Sequence, residues 1–204
     1  MIVLAMDTST PRGSVALVEW AGPGMVDVIA EESFASARSH NALIFAPLGR
    51  MLESARGRGG VDHVVVGTGP GSYTGIRIGI AAAHGIATAI GKPWTGWNSL
   101  AALDDSLRFH VLGDARRGGF FHAVVANGRI IGTPEIHPLD ALEATMAMLD
   151  EPAFTTDAVG LHPALAIRAP CAARLAGMAT GQARAPGPVE PLYLRAPYIT
   201  RPKA

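Results

Sequence analysis

GTGPGSYTGIRIG, residues 67–79, is the stretch of sequence that decides the fold. It follows the short β-branched run at residues 64–66, which is typical of a buried strand. It leads into residues 76–90, which are apolar at helical spacing and too long for a strand. The pattern predicts a strand, a glycine-rich turn and a helix capped by Ser72 or Thr74. The first N–H groups of such a helix form a candidate anion seat.

The spacing of this glycine loop excludes three well-known motifs. In a P-loop four residues separate the first glycine from Gly-Lys-Ser/Thr, whereas five separate Gly85 from Gly91. The dinucleotide fingerprint Gly-x-Gly-x-x-Gly places its third glycine where this loop has none. A nucleophile elbow has glycine two positions before the serine, and Ser72 has Pro70 there. The loop therefore needs another explanation.

One flank of the predicted helix has almost no side chains, because Gly75, Gly79, Ala83 and Ala87 recur every four residues. Glycine inside a helix costs about 1 kcal/mol per residue, so this flank needs a packing reason. Two interpretations are open from the sequence. The flank packs closely on this protein's own sheet or helices, or it receives the helix of a second protein.

A partner interface on this flank would also use the preceding predicted helix. The apolar stripe of that helix begins near residue 43, and Ser39 is its candidate cap. Pro47 lies inside the stripe and predicts a kink or a late helix start. The candidate interface residues are His40, Leu43, Pro47, Met51, Gly75, Arg77, Gly79, Ile80, Ala83 and Ala87.

Composition limits the class of protein. The chain has 204 residues, enough for one large or two small domains. Its single cysteine, Cys171, excludes an internal disulfide and a thiolate metal cluster, so a reducing cytoplasm is the expected compartment. The 17 acidic residues balance 17 basic ones, so we expect nucleic acid to be contacted only through a partner. No stretch predicts a signal peptide or a membrane span.

The order of elements predicts an α/β fold. Apolar runs near residues 2–6, 14–18 and 25–30 predict a three-stranded antiparallel meander. With the elements that follow, through a short strand near residue 94 and a helix after Asn98, the order is β-β-β-α-β-α-β. This order resembles a ribonuclease-H-like core, a mixed sheet with helices on its faces.

The second half of the chain begins the same pattern again. Residues 109–114, FHVLGD, echo residues 2–7, IVLAMD, and Asn127-Gly128 predicts a hairpin. Helices are predicted near residues 138–149 and 170–179. We therefore predict two lobes, an amino-terminal one at residues 1–104 and an abbreviated carboxyl-terminal one at residues 105–204.

Several segments resemble the TsaB (YeaZ) family. They are Asp7-Thr8-Ser9 in the first hairpin, the glycine string at residues 69–79, and Asp114-Ala115-Arg116. The ending PLYLR, residues 191–195, is similar to that of the family as well. The resemblance spans most of the chain. It implies the actin-like, Hsp70-like ATPase (ASKHA) fold with a shortened second lobe.

The resemblance implies a non-catalytic subunit of the machinery that makes threonylcarbamoyladenosine beside the tRNA anticodon. Family members bind and activate the catalytic paralogue TsaD through helices of the amino-terminal lobe, work with the small ATPase TsaE, and form homodimers through a similar surface. Their older label, M22 glycoprotease-like, does not imply peptidase activity. No cofactor is expected on this chain alone, since ATP and metal are expected on the partner subunits.

The residues themselves also argue against a complete catalyst. The catalytic relative holds its metal with two helical histidines at i and i+4, and none of the seven histidines here has another at i+4. An actin-type nucleotide site needs phosphate loops from both lobes. A small-molecule phosphotransferase of the ASKHA kinase type is the alternative. The candidate residues of a shared nucleotide or phosphate seat are Asp7, Thr8, Ser9, Gly71, Ser72 and Asp114.

Overall fold

The computed structural model describes residues 1–22, 25–35, 43–157, 160–180 and 188–195. Its first sheet has five strands in the order β3-β2-β1-β4-β5. Strands β1, β2 and β3 form the predicted antiparallel meander, and β4 and β5 continue the sheet in parallel with β1. The strands are β1 (Ile2–Asp7), β2 (Arg12–Gly22), β3 (Met25–Ala35), β4 (His63–Gly67) and β5 (Trp94–Trp97).

A second sheet repeats this connectivity in the order β10-β9-β6-β7-β8. Here too three antiparallel strands come first, and two strands parallel to the central one follow. The predicted α/β fold with a repeated strand pattern is therefore confirmed. The strands are β6 (Arg108–Arg116), β7 (Gly119–Ala126), β8 (Arg129–Pro138), β9 (Ala153–Thr155) and β10 (Ala166–Ile167).

Helices cover both faces of the first sheet. Helices α1 (Phe45–Arg56) and α2 (Tyr73–Ile90) pack on one face, where β1 contributes Leu4 and Met6. Helix α4 (Ala172–Thr180), from the second half of the chain, packs on the opposite face against Val3 and Ala5. All six residues of β1 are buried, as expected for a central strand covered on both sides.

Two predicted helices are shorter or tighter than the sequence pattern indicates. The helix predicted at residues 138–149 is a 3₁₀ turn at Leu139–Ala141 followed by α3 at Leu142–Ala147. Only Leu142 of α3 is buried, and a short helix with so little apolar contact gains little from extension. The helix predicted after Asn98 is a 3₁₀ segment, Ser99–Ala102, capped by the Asn98 side chain.

The predicted division after residue 104 falls between the strands of the two sheets, but α4 links the halves. The Ser14 hydroxyl on β2 donates to the carbonyl of Pro170 at 2.8 Å and accepts from the N–H of Ala172 at 3.0 Å. A second link joins β5 to the turn between β7 and β8, where the Trp97 indole N–H donates to the carbonyl of Gly128 at 2.9 Å. Within the described residues, no helix has the length and apolar character needed to cross a bilayer.

Replacing Ser14 tests the link between α4 and the first sheet. Ser14→Ala leaves a buried carbonyl and a buried N–H without this partner, so we expect it to lower the free energy of unfolding by about 1–3 kcal/mol. Urea denaturation measures the change. Ser33→Ala is the matched control, because Ser33 is the exposed register partner of Ser14 on β3, and about 0.5 kcal/mol or less is expected there. Equal losses in the two variants would contradict the assigned role.

Candidate functional site

The glycine loop joins β4 to α2 as predicted. Ser72 is the N-cap of α2, and its hydroxyl accepts from the N–H of Gly75 at 3.2 Å. The N–H of Gly69 donates to the hydroxyl of Ser99 at 2.9 Å. Ser99 stands just after β5, so the loop is tied to the carboxyl end of the neighbouring parallel strand. In open α/β sheets this edge is where ligands usually bind.

The tip of the first hairpin docks directly onto the glycine loop. The N–H of Ser72 donates to the carbonyl of Ser9 at 2.7 Å, and the Thr8 hydroxyl donates to the carbonyl of Gly75 at 2.7 Å. A Cβ at Gly71 would lie 2.1 Å from the Ser9 carbonyl oxygen, and one at Gly75 would lie 2.0 Å from the Thr8 carbonyl oxygen. Both positions must be glycine because the hairpin backbone fills the space.

The predicted nucleotide or phosphate seat is only partly assembled. Asp7, Thr8, Ser9, Gly71 and Ser72 do come together, but Thr8 and Ser9 are 0% and 1% exposed. The side chains of Thr8 and Ser9 are therefore not open to an anion, and the N–H of Ser72 is already bonded to the carbonyl of Ser9.

Asp114, the sixth predicted seat residue, has different partners. It lies on β6 in the second sheet, where its N–H donates to the carboxylate of Asp157 at 2.6 Å. Its own carboxylate pairs with the Arg116 guanidinium at 2.9 Å. The contacts of Asp114 thus belong to the second lobe and not to the hairpin tip.

Asp7 is the buried carboxylate of this site. Its Oδ1 accepts from the N–H and the hydroxyl of Ser9 at 2.8 and 2.6 Å. Its Oδ2 is buried against Gly67 with no hydrogen bond of normal geometry, close to the hydroxyl of Ser99. Burial raises the pKa of Asp7, and the lowering effect of the Ser9 and Ser99 hydroxyls is smaller. Asp7 therefore satisfies the N–H and the hydroxyl of Ser9 within the hairpin tip.

The glycine and alanine flank of α2 faces the inside of its own lobe. Gly75, Gly79, Ala83 and Ala87 are all buried. A Cβ at Gly79 would lie 2.6 Å from the Thr8 hydroxyl and 3.4 Å from a methyl group of Val66. The interpretation that a second protein's helix packs on these four positions is therefore wrong. The flank is kept small because α2 lies close to β1 and β4.

The apolar stripe of α1 is also internal. Pro47 and Met51 are buried against the first sheet, so their assignment to a partner surface is wrong. Pro47 stands in the first turn of α1, as expected for a late helix start. Leu43 and Phe45 are exposed by 40% and 60% and are the large apolar groups at this end of the helix. The candidate residue His40 and the candidate cap Ser39 lie outside the described residues.

The outer face of α2 has a different character from the inner one. Arg77, Ala81, His84 and Gly85 are exposed on it, and Ile80 is half-buried at its edge. A Cβ at Gly85 would meet nothing within 4 Å. Unlike Gly75 and Gly79, Gly85 has no packing reason among the residues that the structure describes. Of the predicted interface residues on α2, only Arg77 and Ile80 lie on or beside this face.

The last described segment crosses the amino-terminal end of this outer face. Tyr193 stacks on Tyr73 with ring centroids 4.7 Å apart, and the Arg77 guanidinium lies 3.9 Å from the Tyr73 centroid. The Arg77 Nε–H donates to the Tyr193 hydroxyl at 2.8 Å, and the N–H of Leu192 donates to the carbonyl of Thr68 at 2.8 Å. The segment is thereby fixed to both the glycine loop and α2.

A cavity of about 510 Å³ lies between α2, β5 and this segment. His84 stacks on Trp94 along one wall at a centroid distance of 5.3 Å. The other walls are mostly apolar. The lining residues are Arg77, Ile80, Ala81, His84, Trp94, Pro188, Val189 and Pro191.

Sequence patterns missed several of these residues. Phe45 was missed because helical periodicity identifies the buried stripe of α1, and Phe45 lies outside that stripe. The contact of Tyr193 with Arg77 joins residues 116 positions apart, so local spacing carries no sign of it. Gly85 is recognisable from the sequence, because it is a helical glycine that does not belong to the four-residue series of Gly75 and Gly79.

Comparison with known proteins shows which family this chain is similar to. Residues 29–141, more than half of the chain, match the family model described as TsaD, tRNA N6-adenosine threonylcarbamoyltransferase. An uncharacterized protein of Mycobacterium tuberculosis is 33% identical over 202 residues, covering 96% of this chain and 92% of that protein. The tRNA threonylcarbamoyladenosine biosynthesis protein TsaB of Haemophilus influenzae is 33% identical over 104 residues, which cover 50% of this chain and 42% of that protein.

Solved structures show the same fold. A crystal structure of an uncharacterized protein from Pseudomonas aeruginosa with similarity to peptidase YeaZ has a TM-score of 0.67 and 26% identity, covering 95% of this chain and 99% of that one. The structure of YeaZ from Pseudomonas aeruginosa has a TM-score of 0.65 at 22% identity, covering 88% of this chain and 90% of that one.

Two glycines of α2 provide a direct test of its inner and outer faces. Gly75→Ala places a methyl group against the Thr8 backbone, so we expect a loss of about 1–3 kcal/mol or more in the free energy of unfolding. Gly85→Ala meets nothing and replaces a poor helix former, so a gain of up to about 1 kcal/mol is expected. Urea denaturation measures both. If the two substitutions had the same effect, the assignment of the faces would be wrong.

Asp7→Asn is expected to change how stability depends on pH. Because the pKa of Asp7 is raised in the folded chain, its carboxyl contributes stability below the ordinary value of 3.8 and loses that contribution as pH rises through the folded pKa. Asparagine does not titrate and still offers an oxygen to Ser9. The free energy of unfolding of the variant relative to the parent should therefore increase with pH above 3.8.

Urea denaturation across this pH range measures the effect. A tenfold difference in proton affinity between the folded and unfolded chain corresponds to about 1.4 kcal/mol. Asp27→Asn, at an exposed position on β3, is the control for removal of a negative charge. A difference between Asp7→Asn and the parent that stays constant with pH would contradict the buried carboxyl at this position.

Proposed function

The chain belongs to the TsaB (YeaZ) family, within the threonylcarbamoyltransferase family that the matched model describes, and from this membership we propose that it acts in threonylcarbamoyladenosine modification of tRNA. In this proposal the chain is a non-catalytic subunit that binds and activates a TsaD-type catalytic partner. The observation that supports it most is a contrast. The hairpin tip with Thr8 and Ser9, which we call the closed hairpin site, is buried, whereas the outer face of α2 is exposed.

The closed site is the reason for proposing that this chain is not itself the catalyst. Thr8 and Ser9, the candidate phosphate-loop residues of the hairpin, are buried and bonded to the first turn of α2, so their side chains are not open to a nucleotide. The alternative of a small-molecule phosphotransferase has less support, since it needs this loop open toward the second lobe. We propose that the ATP and the catalytic metal of the reaction are held by partner subunits and that tRNA is contacted through the complex.

The outer face of α2 is the proposed surface for the catalytic partner. Ala81 and Gly85 are exposed and small, so a partner helix can approach the backbone closely there. The exposed side chains of Leu43 and Phe45 offer further apolar area at the amino-terminal end of α1. Arg77 is held in a fixed position by Tyr73 and Tyr193 and supplies a preorganised cation beside them.

The same surface is proposed to serve for a homodimer when the partner is absent, with a TsaE-type ATPase joining the assembled complex. The complex is proposed to work in the cytoplasm, where tRNA is modified. Since both kinds of dimer would use the same helix, homodimer and heterodimer would compete for the outer face of α2. This competition gives the proposal a measurable consequence.

Gly85→Leu tests the proposed surface. Leucine is a good helix former, and its Cβ would meet nothing within 4 Å among the described residues, so the variant should fold while its side chain blocks a close helix approach. We expect at least about a tenfold weaker affinity for the TsaD-type partner, equivalent to about 1.4 kcal/mol. Size-exclusion chromatography and calorimetry measure binding, and circular dichroism checks the fold.

Ala144→Leu is the matched control for this experiment. Ala144 is exposed on α3 of the second lobe, so the substitution adds the same side chain to a helix away from the proposed surface. Its affinity for the partner should equal that of the parent chain. A folded Gly85→Leu variant that binds as tightly as Ala144→Leu would refute the assignment of α2 as the partner surface.

A further inference from the structure

The second sheet carries a buried histidine that the proposed subunit role does not use. His110 lies on β6 and is 7% exposed. It sits between β7 and the loop that follows α3, because the N–H of His110 donates to the carbonyl of Pro152 at 2.8 Å. This backbone bond holds the two acidic residues before Pro152, Asp150 and Glu151, next to the imidazole.

One ring nitrogen of His110 has a clear partner. Its Nδ1 lies 2.9 Å from Nε2 of His122 on the neighbouring strand β7. With Nδ1 directed at His122, Nε2 is the ring nitrogen of His110 that is open to another ligand.

Nε2 of His110 faces two carboxylates and makes no hydrogen bond of normal geometry with the described residues. His110 Nε2 lies 2.9 Å from Oε2 of Glu151 and 3.9 Å from Oδ1 of Asp150, and the three ligand atoms are within 4.8 Å of one another. Both His110 Nε2 and Glu151 Oε2 are buried without a hydrogen-bond partner. Buried polar atoms are normally satisfied, and a cation between these two atoms would satisfy both.

Neighbouring side chains hold the candidate ligands in position, as they do in known metal centres. The other oxygen of Glu151, Oε1, accepts from the Arg108 guanidinium at 2.7 Å. Histidine ligands of metals usually donate their second ring N–H to a neighbour, and ligating carboxylates are hydrogen-bonded in turn. His122 and Arg108 occupy these two supporting positions.

We propose that His110, Asp150 and Glu151 form a binding site for a divalent transition-metal ion of the Zn²⁺ class. One imidazole and two carboxylates match the donors that Zn²⁺ takes, and water would complete the coordination. The ion joins β6 to the loop after α3 and so stabilises the second lobe. The site differs from a pair of histidines on one helix, because strands and a loop supply its ligands.

The i, i+4 spacing of helical histidine pairs does not reveal this site. His110 and Glu151 are 41 positions apart in the chain, and only the pairing of β6 with β9 brings them together. The other way to satisfy the geometry is a protonated His110 paired with Glu151 alone, without metal. Metal titration separates these two arrangements.

The test is titration of the full chain, without any partner protein, with Co²⁺ followed by visible absorption and with Zn²⁺ followed by calorimetry. The expected result is binding of about one ion per chain with ligand-field bands of cobalt bound through nitrogen and oxygen. His110→Asn keeps a donor toward His122 but removes Nε2, and Glu151→Gln removes the carboxylate charge. Each is expected to abolish the cobalt bands and the heat of zinc binding.

His162→Asn is the matched control. His162 also pairs with a carboxylate, that of Glu143 at 3.2 Å, but its Nδ1 accepts from the N–H of Ala164. This variant should bind Zn²⁺ as the parent does. His122→Phe removes the supporting acceptor and is expected to weaken affinity by roughly 10- to 100-fold without abolishing it.

Two results would overturn the proposal. The first is no saturable binding of Co²⁺ or Zn²⁺ by the parent chain, which would leave the protonated ion pair as the arrangement. The second is binding that is equally tight in Glu151→Gln and in His162→Asn. If His110→Asn does not fold, Glu151→Gln decides alone, since its side chain is partly exposed and its loss is tolerated more easily.

Discussion

The docking of the first hairpin tip on the glycine loop is the interaction on which the rest of this structure depends. Two hydrogen bonds of 2.7 Å join Thr8 and Ser9 to the first turn of α2. Gly71 and Gly75 make these bonds possible, because any side chain there would meet the hairpin backbone. The same contact places α2 close to β1 and β4, which explains Gly79, and it buries the side chains of Thr8 and Ser9.

A consequence is that α2 has two faces with separate roles. The inner face packs on the chain's own sheet, whereas the outer face is exposed among the described residues and is the one proposed for another protein. On that outer face Gly85 is the residue without an internal explanation, and Arg77 is held in place by two tyrosines. The proposed subunit role rests on this outer face, and the proposed metal site in the second lobe is independent of it.

Sequence reasoning predicted the fold better than the site. The repeated strand pattern was predicted because residues 2–7 and 109–114 are both apolar runs that close with an Asp and are followed by a hairpin. Both features are local in the sequence. The glycine series was found as well, but a four-residue period gives only the direction of a helical flank. It does not tell which surface covers that flank, so Gly79 and Met51 were assigned to a partner although they are buried within their own lobe. Contacts between distant residues, such as Tyr193 with Arg77, have no local pattern at all.

The measurement that tests the closed hairpin site most directly is a calorimetric titration of the isolated chain with ATP and Mg²⁺. The N–H of Ser72 already donates to the carbonyl of Ser9, and the side chains of Thr8 and Ser9 are buried. The account therefore predicts no saturable heat in the micromolar range. Saturable ATP binding by the isolated chain would contradict it, since the hairpin tip would then have to open for a nucleotide.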